Sequence, residues 1–334
     1  MTIPGEKLVI KMWDSLVDKG IGGVLIPWQE RRVGQNRLEM KTQEIIRLAE
    51  AEKLAEDIRK GYVQFEAPQN EFFLENRQGR IEPTFDVQAF ITTAKSRESS
   101  EAIRKEVNVS KSILIAEEIL ASDPSQVSEK ELEDDWLFNW REYAGRVSTE
   151  DLQLLWGKVL AGEVKNPGSY SYRTLDFLKT MSKFDAEILE KVAQFVVSDV
   201  IVRELDNILE DSGVNFGDLI YLQELGILSG VDSIGIENTW GSLSSGEYLR
   251  AFTSHNKCLL VKSEDVTKKA VLPVYLLTTV GKQIFKLANF GANITYLEAI
   301  GRKFCSQGFE VLIADWVQET QDKGRFSNAV KIVA

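Results

Sequence analysis

The chain has 334 residues, of which 43% are hydrophobic and 27% are charged. This composition is ordinary for a globular protein, and the length favours two or three folding units. The net charge of −11 argues against nonspecific nucleic-acid binding, because a protein neutralises phosphate groups with a basic surface.

The sequence contains few residues of the types that usually bind metals. One histidine, His255, and two distant cysteines, Cys258 and Cys305, cannot form a zinc site by themselves. We expect free thiols, no cofactor and no metal, although an acidic magnesium site stays open. The first residues do not form a signal peptide, and no apolar run approaches the ~20 residues of a membrane-spanning helix. We therefore expect a cytoplasmic protein, with a peripheral contact to the inner membrane as an alternative.

The N-terminal region combines an amphipathic helix with an apolar loop. Helical spacing of apolar residues predicts a helix over Glu6–Lys19, and Gly20 ends it. The loop that follows, residues 21–28, is favoured as a hinge that packs against the core, since it is far too short to span a membrane. In the alternative interpretation, the loop and two arginines contact a membrane surface or a protein partner. That contact would use Val24, Leu25, Ile26, Trp28, Arg31 and Arg32.

Mixed charges and few helix breakers predict a long exposed helix over residues 29–60. Its narrow apolar stripe should dock on another element or on a second copy, and its imperfect heptad makes a coiled coil the minor alternative. Residues 1–61 form the predicted N-terminal segment. Pro68, Gly79 and Pro83 punctuate a predicted linker over residues 62–86.

Residues 87–210 are predicted to form a central helical domain. Helices are expected at 87–96 and 99–121, then around Trp136 after a Ser128 cap, and again after Ser148. A turn at 166–168 and a cap at Ser182, which opens a long helix to Leu209, complete the domain. The buried aromatic set at helical spacing favours a helix–helix core over a ligand pocket.

The run from Trp156 to Leu175, WGKVLAGEVKNPGSYSYRTL, resembles the signature of the bacterial domain-of-unknown-function 2806 family. The segments 7–32 and 276–284 are similar too, so the resemblance covers most of the chain and is most specific at 136–178. It implies a largely helical bacterial protein associated with prophages and mobile elements, and it supplies no catalytic residues. The signature core consists of Trp136, Trp140, Trp156, Pro167, Gly168 and Arg173.

Residues 211–334 change in character. A helix is predicted over 216–228, a polar loop over 229–246, strands over 257–262 and 270–277, helices after Thr278 and over 296–306, and a strand over 308–316. This order resembles a winged helix in which the first two strands pair as the wing. The predicted fold is therefore mainly α, with a long N-terminal helix, a central helical domain and a C-terminal winged-helix-like α/β unit.

Three short motifs hint at catalysis, and structural roles explain each better. Glu163-Val164-Lys165 matches a nuclease E-x-K motif, but it follows a helix rather than lying on a strand. His255 begins a run that matches a nuclease only by its letters. Ser169 and Ser171 have no histidine nearby to act as a base.

The predicted recognition helix carries Asp218 and Glu224 but no Lys or Arg, which favours protein contact over DNA contact. We expect a non-enzymatic interaction protein that acts through a protein partner or self-association. The family resemblance suggests a role in phage defence or abortive infection. A DNA-associated winged-helix regulator and a nuclease or other enzyme of unrecognised type are the alternatives.

Overall fold

A computed structural model describes residues 4–22, 25, 37–63, 87–233, 235–287, 290–318 and 323–333. The chain forms two compact units, residues 1–168 and residues 169–334. Helices outnumber strands among the described residues, and two antiparallel sheets lie in the C-terminal half. The prediction of a mainly α protein is therefore wrong, because the protein is mixed α/β. The predicted boundaries of the N-terminal segment, the linker, the central domain and the C-terminal unit stay predictions. Most of the linker lies outside the described residues.

The described helices of the first unit are α1 (Glu6–Asp18), α2 (Arg37–Lys60), α3 (Val87–Ala121), α4 (Asp134–Ala144) and α5 (Glu150–Lys165). The two helices predicted between residues 87 and 121 form one helix of 35 residues. No proline or glycine separates them, so backbone hydrogen bonding continues through the polar stretch. α2 confirms the predicted charged helix from residue 37 onward.

Close packing and buried hydrogen bonds join α3 to its neighbours. A Cβ atom on Gly157 of α5 would lie only 2.6 Å from Ile115 Cγ2, so glycine permits this helix crossing. On another part of α3, the buried Asn108 side chain donates to the Gly145 carbonyl and accepts from Gln153. These contacts satisfy polar groups that burial would otherwise penalise.

The three indoles between residues 136 and 156 are buried, as expected for a helix–helix core. Trp136, Trp140 and Trp156 are at most 2% exposed. The Trp140 indole N–H donates to the Trp156 carbonyl oxygen at 2.9 Å, and the Tyr143 ring lies 5.8 Å from the Trp156 ring. The polar edge of one indole is thus satisfied inside an apolar cluster.

The described helices of the second unit are α6 (Tyr172–Thr180), α7 (Lys183–Ala193), α8 (Asp206–Asp211), α9 (Phe216–Glu224), α10 (Thr279–Phe285) and α11 (Ile294–Ser306). The predicted caps at Ser182 and Thr278 are confirmed, since each side chain accepts a backbone N–H of the following helix. The helix predicted to reach Leu209 instead ends at Ala193. Beyond it, Ser198 and Asp199 have positive φ values, which turn the chain into a buried strand.

The described strands are β1 (Val200–Val202), β2 (Leu228–Ser229), β3 (Ile236–Trp240), β4 (Tyr248–Ser254), β5 (Lys257–Ser263), β6 (Ala270–Leu277), β7 (Glu310–Gln318) and β8 (Gly324–Lys331). In the first sheet, β6 lies between β1 and β2 and also pairs with β3. The second sheet has the order β4-β5-β7-β8, and all pairings are antiparallel.

The predicted wing is wrong in its pairing, although both of its strands form. β6 pairs with β3, where Ala270 lies opposite Trp240, while β5 pairs with β4 and β7. A two-residue turn at His255 and Asn256 brings β4 next to β5, and His255 adopts a φ of 51° there. This tight local hairpin gives β5 a nearer partner than β6.

Tyr296 of α11 fastens this helix to the first sheet. Its hydroxyl accepts from the Val202 N–H at 2.6 Å and donates to the Val202 carbonyl at 3.2 Å. The side chain is completely buried, and burial raises the pKa of the phenol. Both backbone groups of Val202 therefore depend on this one hydroxyl away from solvent.

Tyr296→Phe should lower the free energy of unfolding by about 2 kcal/mol, because it leaves two buried backbone groups of Val202 unpaired. Urea denaturation of the full chain measures the loss. The matched control is Tyr62→Phe, whose side chain is 77% exposed and should have almost no effect. Equal losses in the two variants would show that the Tyr296 hydroxyl contributes nothing specific.

Candidate functional site

The apolar loop after α1 is only partly described, and its described part packs inside the first unit. Ile21 and Leu25 are at most 2% exposed, and the Leu25 N–H donates to the Gly22 carbonyl at 2.7 Å. Leu25 is therefore placed as the hinge interpretation expects. The other predicted contact residues lie outside the described part of the chain, and their contact with a membrane or partner stays a prediction: Val24, Ile26, Trp28, Arg31 and Arg32. No described helix has both the length and the apolar character needed to cross a bilayer.

The E-x-K motif lies at the end of α5, where it organises the following turn. Glu163 is 3% exposed, and its Oε1 accepts from the Gly168 N–H at 2.5 Å. Lys165 forms an ion pair with Asp123. Pro167 is half-buried and Arg173 is exposed. This arrangement caps a helix end and provides no neighbouring strand of the kind that a nuclease motif needs.

His255 and Cys258 also have structural environments. His255 Nε2 lies 2.8 Å from the Ala193 carbonyl, which connects the β4–β5 turn to the end of α7. Burial raises the pKa of the Cys258 thiol to about 11, so this thiol stays protonated at neutral pH. Across the described ranges, no group of three or more His, Cys, Asp and Glu side chains is arranged to hold a metal ion.

A cleft of about 370 Å³ opens beside α8 and α9 in the second unit. Its polar wall is Arg203, whose guanidinium carbon lies 5.0 Å from the centre of the Tyr275 ring. Its apolar wall includes Leu219 and Phe216, and Phe216 is 54% exposed at the start of α9. Phe216 therefore adds exposed apolar area directly beside the cleft.

Acidic side chains dominate this part of the second unit. Residues 203–224 contain six Asp or Glu residues and one basic residue, Arg203. Asp206 and Glu210 line the cleft itself, and the charge of Asp206 adds to burial in raising the pKa of Tyr275. We call the surface formed by Asp206, Glu210, Phe216 and Asp218 the acidic face. Sequence reasoning found the acidity of α9 but missed the cleft and the exposure of Phe216.

A second cleft, of about 640 Å³, lies between α2 and α3 in the first unit. Both signs of charge line it, with three arginines and three glutamates around Ser100 and Ser148. The sequence predicts only a solvated charged helix here. The helical spacing of Arg97 and Arg104 is a usable signal, but it acquires meaning only once α2 is placed beside α3.

The described residues define a mixed α/β protein with a helical first unit and a second unit built on two antiparallel sheets. Within it, residues 92–210 match the model of a family described as a protein of unknown function (DUF2806). This match confirms the predicted family resemblance over that range, which runs from α3 to α8 and includes all three buried indoles. No curated protein and no solved structure matches the chain.

Proposed function

We propose that the chain is an interaction protein whose second unit binds a basic protein segment through the acidic face. The observation that carries this proposal is Phe216, a half-exposed aromatic ring that lines a cleft together with Asp206 and Glu210. Apolar anchors ringed by charge are the usual energetic centres of protein interfaces. The proposal concerns contact and assigns no reaction to the chain.

The order of elements around α9 supports a winged-helix variant. Winged-helix domains follow the order helix, strand, two helices and two paired strands, which corresponds here to α7, β1, α8, α9, β2 with β3, and β6. The central position of β6 between β1 and β2 fits the same scheme. The β4–β5 hairpin lies in the connection between β3 and β6, at the place of the wing tip.

In that scheme, α9 occupies the position of the helix that enters the DNA major groove. It carries Asp218 and Glu224 and no basic residue, so a groove lined by phosphates would repel it. The same charge attracts lysine and arginine side chains and accelerates encounter with a basic partner. The charge of α9 therefore favours a protein partner over DNA.

The lining of the cleft indicates which side chains the partner contributes. An apolar side chain of the partner fits against Phe216 and Leu219, while a neighbouring Lys or Arg meets Asp206 or Glu210. Arg203 keeps its positive charge while it stacks on Tyr275, so a basic side chain of the partner should meet Asp206 or Glu210 away from this guanidinium. The expected partner segment is thus short and basic, with at least one apolar residue.

A peptide-display selection on the full chain should enrich basic peptides that contain an apolar residue. The selected peptides should bind Phe216→Ala at least about tenfold more weakly, which corresponds to about 1.4 kcal/mol. Fluorescence anisotropy with labelled peptides measures the difference. Phe326→Ala is the matched control, because Phe326 of β8 is 48% exposed and lies in the other sheet.

Two outcomes contradict this function. Enrichment of acidic peptides, or of peptides that bind Phe216→Ala as well as the unchanged chain, would move the interface elsewhere. Tight duplex-DNA binding at physiological salt would instead establish the winged-helix regulator, if it is lost on changing Lys268 and Lys269, the two basic residues directly before β6. The resemblance to a prophage-associated family makes phage infection the setting in which we propose that the partner is met.

A further inference from the structure

We propose that the cleft between α2 and α3 binds a small phosphate-bearing ligand through Arg59, Arg97 and Arg104. We call it the arginine cleft. This inference is independent of the acidic face, since every residue that carries it lies in the first unit. It rests on how the three side chains are placed, on the partners of the neighbouring acids and on the size of the cleft.

A buried hydrogen bond between the two helices lies at the floor of the arginine cleft. The Ser100 hydroxyl of α3 donates to the Ala55 carbonyl of α2 at 2.7 Å, and both residues are at most 8% exposed. Arg97 and Arg104 come three residues before and four residues after Ser100, so they share its helix face. Arg59 comes four residues after Ala55 on α2. Residues at these spacings are neighbours on a helix surface, so all three arginines surround the same floor.

The acids that line the arginine cleft are each paired with a lysine. Glu52 pairs with Lys111 at 3.0 Å and Glu56 with Lys60 at 2.7 Å. Glu101 lies 3.8 Å from Lys105. The charges of Glu52 and Glu56 are thus compensated by cations that do not line the cleft, whereas Glu101 is paired only weakly.

The arginines, by contrast, have weak partners or none within the described part of the chain. Arg59 approaches Glu56 only at 3.9 Å, and no ion pair joins Arg97 or Arg104 to another described residue. The protein as a whole carries a net charge of −11. Two guanidinium groups without an ion pair, Arg97 and Arg104, and the weakly paired Arg59 therefore create a local positive potential that favours an anion.

The chemistry of guanidinium favours phosphate as that anion. Its planar fork donates two parallel hydrogen bonds to phosphate oxygens, which makes arginine the preferred residue for phosphate recognition. Arg97 and Arg104 are separated by seven residues, or about 10 Å along the helix, which exceeds one phosphate ion. A chain of two or three phosphates spans that distance better.

The size and lining of the arginine cleft narrow the ligand further. A volume of about 640 Å³ accommodates a nucleotide-sized molecule. No aromatic side chain is among the described lining residues, so none of them can stack on a nucleotide base. The ligand is therefore recognised by its phosphate chain, and different nucleosides should be accepted equally.

Isothermal titration calorimetry with the full chain tests this inference, with pyrophosphate, ATP and GTP as probes. All three should bind with dissociation constants within about fivefold of one another, since the phosphate chain is the common element. Arg97→Gln and Arg104→Gln should each weaken binding at least about tenfold, and Arg104→Lys should weaken it less because it keeps the charge without the fork. Arg302→Gln, an exposed arginine of α11, is the matched control and should leave binding unchanged.

Three results overturn the inference. The first is no heat of binding for any probe at millimolar concentration and low salt. The second is binding that Arg97→Gln and Arg104→Gln leave unchanged, or that Arg302→Gln weakens equally. The third is binding of long duplex nucleic acid alone, which would replace a small ligand by a polymer. Each altered side chain is exposed, so unchanged melting temperatures should accompany all variants.

Discussion

Replacing Trp156 with alanine is expected to lower the free energy of unfolding by about 3–5 kcal/mol. The side chain is 1% exposed, and its ring contacts the Tyr143 ring in the core of the first unit. Alanine leaves a cavity that α3, α4 and α5 cannot close, because Gly157 already holds α5 tightly against α3. The loss therefore includes both the transfer of the indole to water and the cost of the cavity.

Guanidinium denaturation, followed by circular dichroism so that the lost fluorophore does not bias the signal, measures this loss. Leu154→Ala is the matched control, since Leu154 lies on the same helix but is 42% exposed. Its loss should stay well below that of Trp156→Ala. A Trp156→Ala variant less than about 1 kcal/mol weaker than the unchanged chain would mean that the indole cluster does not stabilise the unit.

Gly281→Ala is expected to destabilise the second unit by about 3 kcal/mol, although alanine normally stabilises a helix relative to glycine by about 1 kcal/mol. A Cβ atom at Gly281 of α10 would lie 2.3 Å from the Ile227 carbonyl oxygen. That oxygen accepts from the Thr278 N–H at 3.0 Å, so the clash is with an anchored backbone. A loss of stability would thus show that close packing dominates, whereas a gain would show that helix propensity dominates.

Thermal and urea denaturation of Gly281→Ala both measure this change. Gly246→Ala provides the control, because no atom lies within 4 Å of a Cβ at Gly246. It should be neutral or slightly stabilising. If Gly281→Ala also stabilises the protein, the approach of α10 to Ile227 is looser than the structure has it.

Local capping signals predicted some helix starts, but the predicted caps at Ser128 and Ser148 are wrong, since those helices begin at Asp134 and Glu150. Ser182 and Asp185 form the expected capping box, and Thr278 caps α10. These motifs depend on residues within one helical turn, so they can be recognised in the sequence without knowledge of the rest of the fold. The apolar spacing of α1 and α11 was readable for the same reason.

Strands were harder to predict, because their partners are distant in the chain. β3 contains polar residues and lies in a stretch that predicts a loop, yet pairing with β6 makes it a strand. β8 is almost entirely exposed, so no alternation of apolar and polar residues marks it. The missing strands are the main reason why the prediction of a mainly α fold is wrong.

The candidate surfaces show the same division. Asp218 and Glu224 make the acidity of α9 visible in the sequence. The exposure of the Phe216 ring, in contrast, depends on how α8 and α9 pack. Arg97 and Arg104 share a helix face by their spacing alone. Arg59 comes to the same place because α2 packs against α3, as the Ser100–Ala55 hydrogen bond shows. The charge on a single helix was predictable from the sequence. The meeting of side chains from different helices at one cleft was not.

The order of strands in the second sheet has a consequence for biosynthesis. β5 pairs with β7 from Lys257 opposite Asp315 onward, so a strand made early must wait for one made about 50 residues later. During translation the β4–β5 hairpin can close by itself, but it exposes an unpaired edge until β7 leaves the ribosome. A nascent chain halted with β5 outside the ribosome and β7 still inside it would therefore present an adhesive strand. Ribosome pausing at that stage should promote aggregation, whereas a chain released with β7 already paired should not aggregate.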